Sequence, residues 1–165
     1  MRRIGTLGST LCLVGLFAGL STGAARGQSA TPSDTAKRLV GTWRLVSITT
    51  DGQPDPNRGP HPTGLITYTA QGDMAVQIMP DQARRPFAGT QPTPDEAQAA
   101  LAGYTAYFGT YTIDEAARTV THHRTGNLNP GGLGDFVRRY EFATEDRLIL
   151  RPLENTNALT WERLQ

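Results

Sequence analysis

The segment that most constrains the fold is residues 104–124, where β-branched and aromatic side chains lie on both sides of a short polar turn. Segments of this composition are typical of β-strands. We predict two long antiparallel strands, 104–113 and 118–125, joined through residues 114–117. The first strand carries a row of aromatic side chains and the second carries two adjacent histidines. The chain is therefore expected to be organised around one long hairpin.

Shorter segments of the same kind occur elsewhere, and 18 glycines and 11 prolines are dispersed between the apolar runs. Glycine and proline in these places are typical of turns between strands rather than of a helical bundle. Besides the central pair, we predict six strands: 42–50, 64–70, 73–79, 135–143, 147–153 and 158–164. Eight strands joined by short connections indicate an all-β fold, an antiparallel up-and-down barrel.

One short helix is predicted between the third and fourth strands. Thr93 is a typical helix cap, and Pro94 suits the first helical position, where the missing N–H costs nothing. The helix is expected to end near Ala102, because Gly103 follows it and glycine is common just past a helix C-terminus. A helix at this point would cover an open end of the barrel.

The alternation of side chains along a strand separates the two histidines of the central hairpin. Tyr107 and Tyr111 share one face of the first strand, and His122 shares a face with Val120 on the second. His123 must point the other way, so the two histidines cannot bind one metal ion or one substrate together. We predict that His122 faces the interior with the apolar Val120, and that His123 faces outward.

Residues 64–79 form a second hairpin whose register the sequence leaves open. A type I turn with a left-handed Gly72 places Tyr68 on the inward face. The residues of that face are then Ile66, Tyr68, Met74, Val76 and Ile78. A two-residue turn would instead set Ala75 and Gln77 beside Tyr68.

Residues 1–25 are predicted to be a secretory signal peptide, because two arginines precede an apolar run and small residues follow it. The run is shorter than the roughly 20 residues of a permanent span, although a retained membrane anchor is the alternative. Cleavage is expected after Ala25, with Ala30 as second choice, so that the mature protein begins between residues 26 and 31. We expect residues 26–36 to be a disordered leader and residues 37–165 to form the domain of a periplasmic or secreted protein.

Composition excludes several classes of function. The only cysteine, Cys12, lies in the predicted signal peptide, so the mature protein is expected to lack disulfides, cysteine nucleophiles and thiolate metal sites. Sixteen basic and fifteen acidic residues give a net charge of +1, which provides no strong field for nucleic acid. The sequence contains no phosphate-binding loop and no HExxH motif. We predict no cofactor, no metal and no nucleic-acid partner, and we leave the oligomeric state open.

Five separated blocks resemble the lipocalin-like domain family of bacterial and fungal proteins, which have calycin-type barrels. They occur in order over about residues 39–164 and read LVGTWRLVS, GLITYTAQGDMAVQIM, AYFGTYTIDEAARTVTHH, NPGGLGDFVRRYEF and LTWERL. The resemblance implies a lipocalin-like barrel whose bottom is closed by Trp43, with Arg163 packed across the indole. It implies little about any reaction, since a fold does not specify chemistry.

The predicted interior combines apolar and polar side chains, as small-molecule pockets do. The candidate ligand-binding residues are Tyr68, Tyr107, Tyr111, His122, Arg138 and Tyr140. Arg138 is suited to pair with a carboxylate, and His122 is suited to donate a hydrogen bond to a carbonyl group or to transfer a proton. We therefore expect an exported protein that binds a small hydrophobic or amphipathic ligand bearing an acid, carbonyl or phenol inside the barrel.

Two other functions fit the same residues. One is an isomerase, cyclase or dehydratase in which His122 is the general acid or base. The other is a structural envelope protein whose barrel is filled by its own side chains. We place ligand binding first, because a buried Arg138 without a partner would be costly and because the sequence names no acidic partner for His122.

Overall fold

The computed structural model describes residues 33–165, which form nine strands and two helices. In chain order these are α1 (Asp34–Leu39), β1 (Gly41–Thr50), β2 (Gln53–Pro54), β3 (Thr63–Tyr68), β4 (Asp73–Met79), α2 (Pro94–Leu101), β5 (Thr105–Asp114), β6 (Thr119–Asn127), β7 (Gly134–Thr144), β8 (Arg147–Pro152) and β9 (Ala158–Arg163). The predicted signal peptide and its cleavage sites lie outside the described residues. Within residues 33–165, neither helix has the length and apolar character that a membrane span requires.

The strands form one antiparallel sheet that closes on itself. From β3 to β9, each strand pairs with the next along the chain, and β1 pairs with both β3 and β9. The two residues of β2 add only a short extension beside the end of β1, so the closed barrel has eight strands. The predicted all-β, eight-stranded antiparallel barrel is therefore confirmed.

The position of the longer helix in the strand order differs from the prediction. α2 lies between β4 and β5, not between the third and fourth strands, because the short β2 precedes it. Asp51 and Gly52 adopt left-handed φ values of 52° and 78°, which turn the chain back so that Gln53 and Pro54 pair with β1. Sequence reasoning treated this connection as irregular, because proline cannot donate to a sheet.

The start of α2 follows the predicted signals. The Thr93 hydroxyl accepts a hydrogen bond from the Glu96 N–H at 3.3 Å, and the Thr93 N–H donates to the Glu96 carboxylate at 2.8 Å. These reciprocal contacts form a capping box, which satisfies two N–H groups at the helix start. At the other end, Gly103 adopts a left-handed φ of 71° and the chain turns into β5.

At the other end of the molecule, α1 begins within the segment assigned to the leader, residues 26–36. Ser33 caps this helix, since its hydroxyl accepts a hydrogen bond from the Ala36 N–H at 3.1 Å. A serine cap of this kind satisfies an N–H that the first helical turn leaves free. Asp34–Ala36 are therefore helical, and Leu39 at the end of the helix is buried.

Trp43 closes this end of the barrel. Its side chain is fully buried, and the indole N–H donates to the Leu39 carbonyl at 2.9 Å. The Arg163 guanidinium lies 4.1 Å from the centre of the indole and donates to the carbonyls of Val40 and Arg38. The cation–π contact implied by the family resemblance is thus present, and it ties the last strand to the first.

The register of the hairpin between β3 and β4 follows the first of the two predicted options. Tyr68 lies opposite Met74, and Gly72 in the turn has a left-handed φ of 94°. The inward face of this hairpin is buried; its residues are Ile66, Tyr68, Met74, Val76 and Ile78. Together with apolar side chains of β1, β8 and β9 they fill much of the barrel.

Candidate functional site

His122, on β6, is fully buried, and two tyrosine hydroxyls flank its imidazole. The Tyr68 hydroxyl on β3 lies 2.7 Å from Nε2, and the Tyr107 hydroxyl on β5 lies 2.9 Å from Nδ1. Side chains from three strands therefore meet at one ring. The prediction that His122 faces the interior is confirmed.

Arg138, on β7, lies in the same interior and is only 6% exposed. Its Nη2 donates to the Tyr107 hydroxyl over a long 3.5 Å, and its guanidinium lies 4.2 Å from the centre of the Phe136 ring. The other two nitrogens, Nε and Nη1, have no hydrogen-bond partner among the described residues. Contact with an aromatic face offsets part of the cost of burying this charge, but two unbonded nitrogens leave most of it uncompensated.

A cavity of about 530 Å³ opens beside Tyr107 and Arg138. Its volume falls in the range of roughly 300 to 1,000 Å³ that is usual for small-molecule pockets. Much of its wall is apolar and includes Ile48, Ile78, Leu101, Leu128, Phe136 and Leu159. Leu101 is the last residue of α2, so this helix contributes one side chain to the cavity wall.

The charged groups of the cavity wall have one sign. Among the described residues that line it, three are arginines and none is aspartate or glutamate. Arg58 is partly neutralised, because Asp55 lies 3.7 Å away. Arg124 stacks over Phe136, with its guanidinium 4.9 Å from the ring centre. Arg124 and Arg138 therefore make this wall electropositive.

Of the six predicted ligand-binding residues, Tyr107 and Arg138 line the cavity. His122 contacts Tyr107, and Tyr68 contacts His122, but neither His122 nor Tyr68 lines the cavity. Tyr111 is turned away from it, since its hydroxyl donates to the Thr69 carbonyl at 2.8 Å. The cavity wall thus includes only two of the predicted residues, and of the remainder only His122 and Tyr68 are hydrogen-bonded to the wall through Tyr107.

Tyr140 lies elsewhere in the barrel. Its ring centre is 5.8 Å from that of Phe142, which in turn packs 6.3 Å from Trp43 at the closed end. The Arg38 guanidinium from α1 also stacks on Phe142, 4.1 Å from the centre of its ring. Tyr140 shares a strand face with Arg138, but the structure places it in the barrel floor.

Sequence reasoning did not single out Arg58 or Arg124. Arg124 follows His122 by two residues on β6, so the alternation that placed His122 inside also placed Arg124 on that face. Arg58 comes from the proline-rich connection after β2, where no periodicity indicates the direction of a side chain. A signal therefore existed for Arg124 and none existed for Arg58.

A family model of the lipocalin-like domain matches residues 40–165. The chain belongs to this lipocalin-like family. Comparison with curated proteins gave no match. Among solved structures, a redesigned β-barrel is similar to the chain at 12% identity and a TM-score of 0.44, covering 79% of this chain and 95% of the other. A DUF4847 family protein from Bacteroides vulgatus is similar at 15% identity and a TM-score of 0.42, covering 75% and 92%.

Burial sets the protonation of the hydrogen-bonded chain inside this lipocalin-like barrel. Loss of solvent holds the pKa of His122 well below its usual value, and the nearby positive charges of Arg138 and Arg124 lower the pKa further. Burial also raises the pKa of Tyr68 well above that of an exposed tyrosine, with the neighbouring Tyr107 adding to the effect. At neutral pH, His122 is therefore uncharged and Tyr68 keeps its proton.

The low pKa of His122 makes the stability of the lipocalin-like barrel depend on pH. Below about pH 6.5 the unfolded chain takes up a proton on this histidine, but the folded protein does not until a lower pH. Stability is thus expected to fall as the pH drops below 6.5, by at most about 1.4 kcal/mol per pH unit from this group. Urea denaturation between pH 7.5 and 5 should show the loss in the wild type and less of it in His122→Gln. The matched change at the outward position, His123→Gln, should leave the loss in place.

His123 on the outer face of the lipocalin-like barrel belongs to a second chain of polar contacts. Its Nδ1 lies 2.7 Å from the Asp135 carboxylate, and its Nε2 lies 2.9 Å from the Thr112 hydroxyl. A hydrolytic triad has this order, but it also needs N–H donors for the oxyanion. The N–H of Tyr111, next to Thr112, already donates to the Gly72 carbonyl at 2.8 Å. We interpret this chain as a cross-strand contact that stabilises the sheet.

Proposed function

We propose that this lipocalin-like protein binds a small, partly apolar anion in the barrel cavity, with the charged group of the ligand beside Arg138. The observation that carries the proposal is that the buried Arg138 lines a cavity of about 530 Å³ while two of its nitrogens have no hydrogen-bond partner among the described residues. A buried charge is stabilised when an opposite charge or acceptor lies beside it. An anion in the cavity supplies both.

The rest of the wall supports the same class of ligand. Arg124 adds a second positive group at the wall, and the Tyr107 hydroxyl lies between Arg138 and the histidine. The apolar side chains of Ile48, Ile78 and Leu159 offer no hydrogen-bond partner, so the part of the ligand beside them is expected to be apolar. A carboxylate attached to an aromatic or short aliphatic group matches this division of the wall.

The geometry gives less support to the two other functions. A direct general acid or base role for His122 is difficult, because Tyr107 rather than the imidazole borders the cavity. A barrel that is filled throughout does not match the cavity above Tyr107, although the closed end is packed by Trp43 and its neighbours. Binding remains our first choice, in a protein that we propose is exported to the periplasm or secreted.

Calorimetric titration tests the proposal with two probes of equal shape, 2-naphthoate and 2-naphthamide. The acid is expected to bind at a single saturable site about tenfold or more tightly than the amide, the usual gain from hydrogen bonds to a charged group. Protein isolated from its native host should in addition release an organic anion on denaturation, identified by mass spectrometry. Equal affinity for acid and amide, together with an empty isolated protein, would contradict the proposal.

A further inference from the structure

The direction of the hydrogen bonds between Tyr68, His122 and Tyr107 follows from counting donors and acceptors. A neutral imidazole carries one N–H and one acceptor nitrogen. Each nitrogen of His122 has a tyrosine hydroxyl as its neighbour, at 2.7 Å and 2.9 Å. One tyrosine must therefore donate to the ring and the other must accept from it, and the two arrangements differ in which hydroxyl hydrogen is left over.

With the proton on Nε2, His122 donates to Tyr68 and accepts from Tyr107. The hydroxyl hydrogen of Tyr68 is then left over, and among the described residues the Tyr68 hydroxyl has no hydrogen-bonding neighbour other than His122. Tyr68 is 1% exposed, so bulk solvent does not reach this hydrogen either. This arrangement leaves a buried donor unsatisfied, which proteins generally avoid.

With the proton on Nδ1, Tyr68 donates to Nε2 and Nδ1 donates to the Tyr107 oxygen. Arg138 also donates to that oxygen, over 3.5 Å. The hydrogen left over is now that of Tyr107, which lines the cavity and can donate to whatever occupies it. In this arrangement the donors of Tyr68 and His122 both have acceptors, and the one hydrogen left over belongs to a residue that lines the cavity, so it is the favoured one.

We infer that Tyr68 fixes His122 as the Nδ1–H tautomer and thereby keeps the Tyr107 hydroxyl as a hydrogen-bond donor to the cavity. The inference rests on the proposed function and narrows the ligand class. With Arg138 and Tyr107 both donating, the ligand group between them is an accepting oxygen, and the positive charge of Arg138 favours an anionic one: a carboxylate, an enolate or a phenolate. Neutral amides and protonated acids can accept through a carbonyl oxygen, but an uncharged acceptor forms the weaker hydrogen bond, so they are disfavoured. Tyr68 and His122 act as positioning residues, since neither lines the cavity.

The tautomer is measured directly in the ligand-free protein by long-range ¹H–¹⁵N NMR of histidine. In the wild type, His122 is expected to show a protonated Nδ1 and an unprotonated Nε2. In Tyr68→Phe the donor to Nε2 is lost, and signals of both tautomers are expected. A wild-type His122 protonated on Nε2 would overturn the inference whether or not any ligand binds, so this measurement does not depend on the proposed function or on the stability of the variant.

Affinity supplies the second test. Tyr68→Phe is expected to weaken binding of 2-naphthoate by about three- to tenfold and to weaken binding of 2-naphthamide less, because the neutral carbonyl accepts a weaker hydrogen bond than the carboxylate. Ile66→Val is the matched control, because it trims a buried side chain of the same strand without removing a polar group. If the role of Tyr68 were merely structural, Tyr68→Phe would lower the affinities for 2-naphthoate and 2-naphthamide by the same factor, as any loss of packing in Ile66→Val would. If Tyr68→Phe keeps the wild-type ratio of acid to amide affinity, the inference fails while the proposed function stands; if the wild type does not prefer the acid, the proposed function fails.

Discussion

Replacing Trp43 with alanine is expected to lower the free energy of unfolding of the barrel by about 3 to 5 kcal/mol. The indole is fully buried at the closed end, beneath the Arg163 guanidinium at 4.1 Å. Alanine would leave a void that the surrounding strands fill only in part, and it would remove the N–H donor to the Leu39 carbonyl. Equilibrium urea denaturation followed by circular dichroism measures the loss. A variant that unfolds at the wild-type urea concentration would contradict the role of Trp43 in closing the barrel.

Trp161 provides a matched comparison for the hydrogen bond of Trp43. Both indoles are buried, but the Trp161 Nε1 has no partner among the described residues, whereas the Trp43 Nε1 donates to Leu39 at 2.9 Å. Phenylalanine removes a similar part of the ring at either position. Trp43→Phe is therefore expected to cost about 1 kcal/mol more than Trp161→Phe. Equal losses would mean that the hydrogen bond to Leu39 contributes little.

Sequence reasoning located the interior of the barrel because alternation along a strand has only two outcomes. The inward positions of Tyr68, Tyr107 and His122 follow from this period of two, together with the turn at Gly72. Closure by Trp43 came from the family resemblance instead. Strand alternation and the family's sequence blocks are both local patterns of residues, which the sequence contains directly.

The position of each inward side chain along the barrel axis could not be predicted from alternation. Tyr140 and Arg138 share a face of β7, but two residues of a strand span about 7 Å. That distance separates the cavity wall, where Arg138 lies, from the packed floor, where Tyr140 contacts Phe142. The location of the cavity along the barrel axis depends on how side chains from all eight strands pack together. The sequence of a single strand does not determine it. Arg58 reaches the cavity from a connection, where even the alternation is missing.

Replacing Arg138 with methionine is expected to have opposite effects on binding and on stability. Loss of the guanidinium should weaken binding of 2-naphthoate by about 1.5 to 3 kcal/mol, or roughly 10- to 150-fold, the worth of hydrogen bonds to a charged group. The ligand-free protein, by contrast, is expected to keep its free energy of unfolding or to gain about 1 to 2 kcal/mol, because methionine fills similar space without a buried charge. Calorimetric titration and urea denaturation of ligand-free protein measure the two changes.

Arg139 is the matched control, since it follows Arg138 on β7 and is exposed on the outer face. Arg139→Met removes the same charge from the protein, so it corrects for any effect of net charge on the binding of an anion. It is expected to change neither affinity nor stability by more than about 0.5 kcal/mol. If Arg138→Met destabilises the ligand-free barrel by several kcal/mol, the guanidinium is satisfied by the protein itself and the cavity needs no anion. If Arg138→Met instead stabilises the barrel and abolishes the preference for the acid over the amide, the buried charge of Arg138 lowers the stability of the fold. A charge that destabilises the fold and is needed for acid binding has a ligand-binding role.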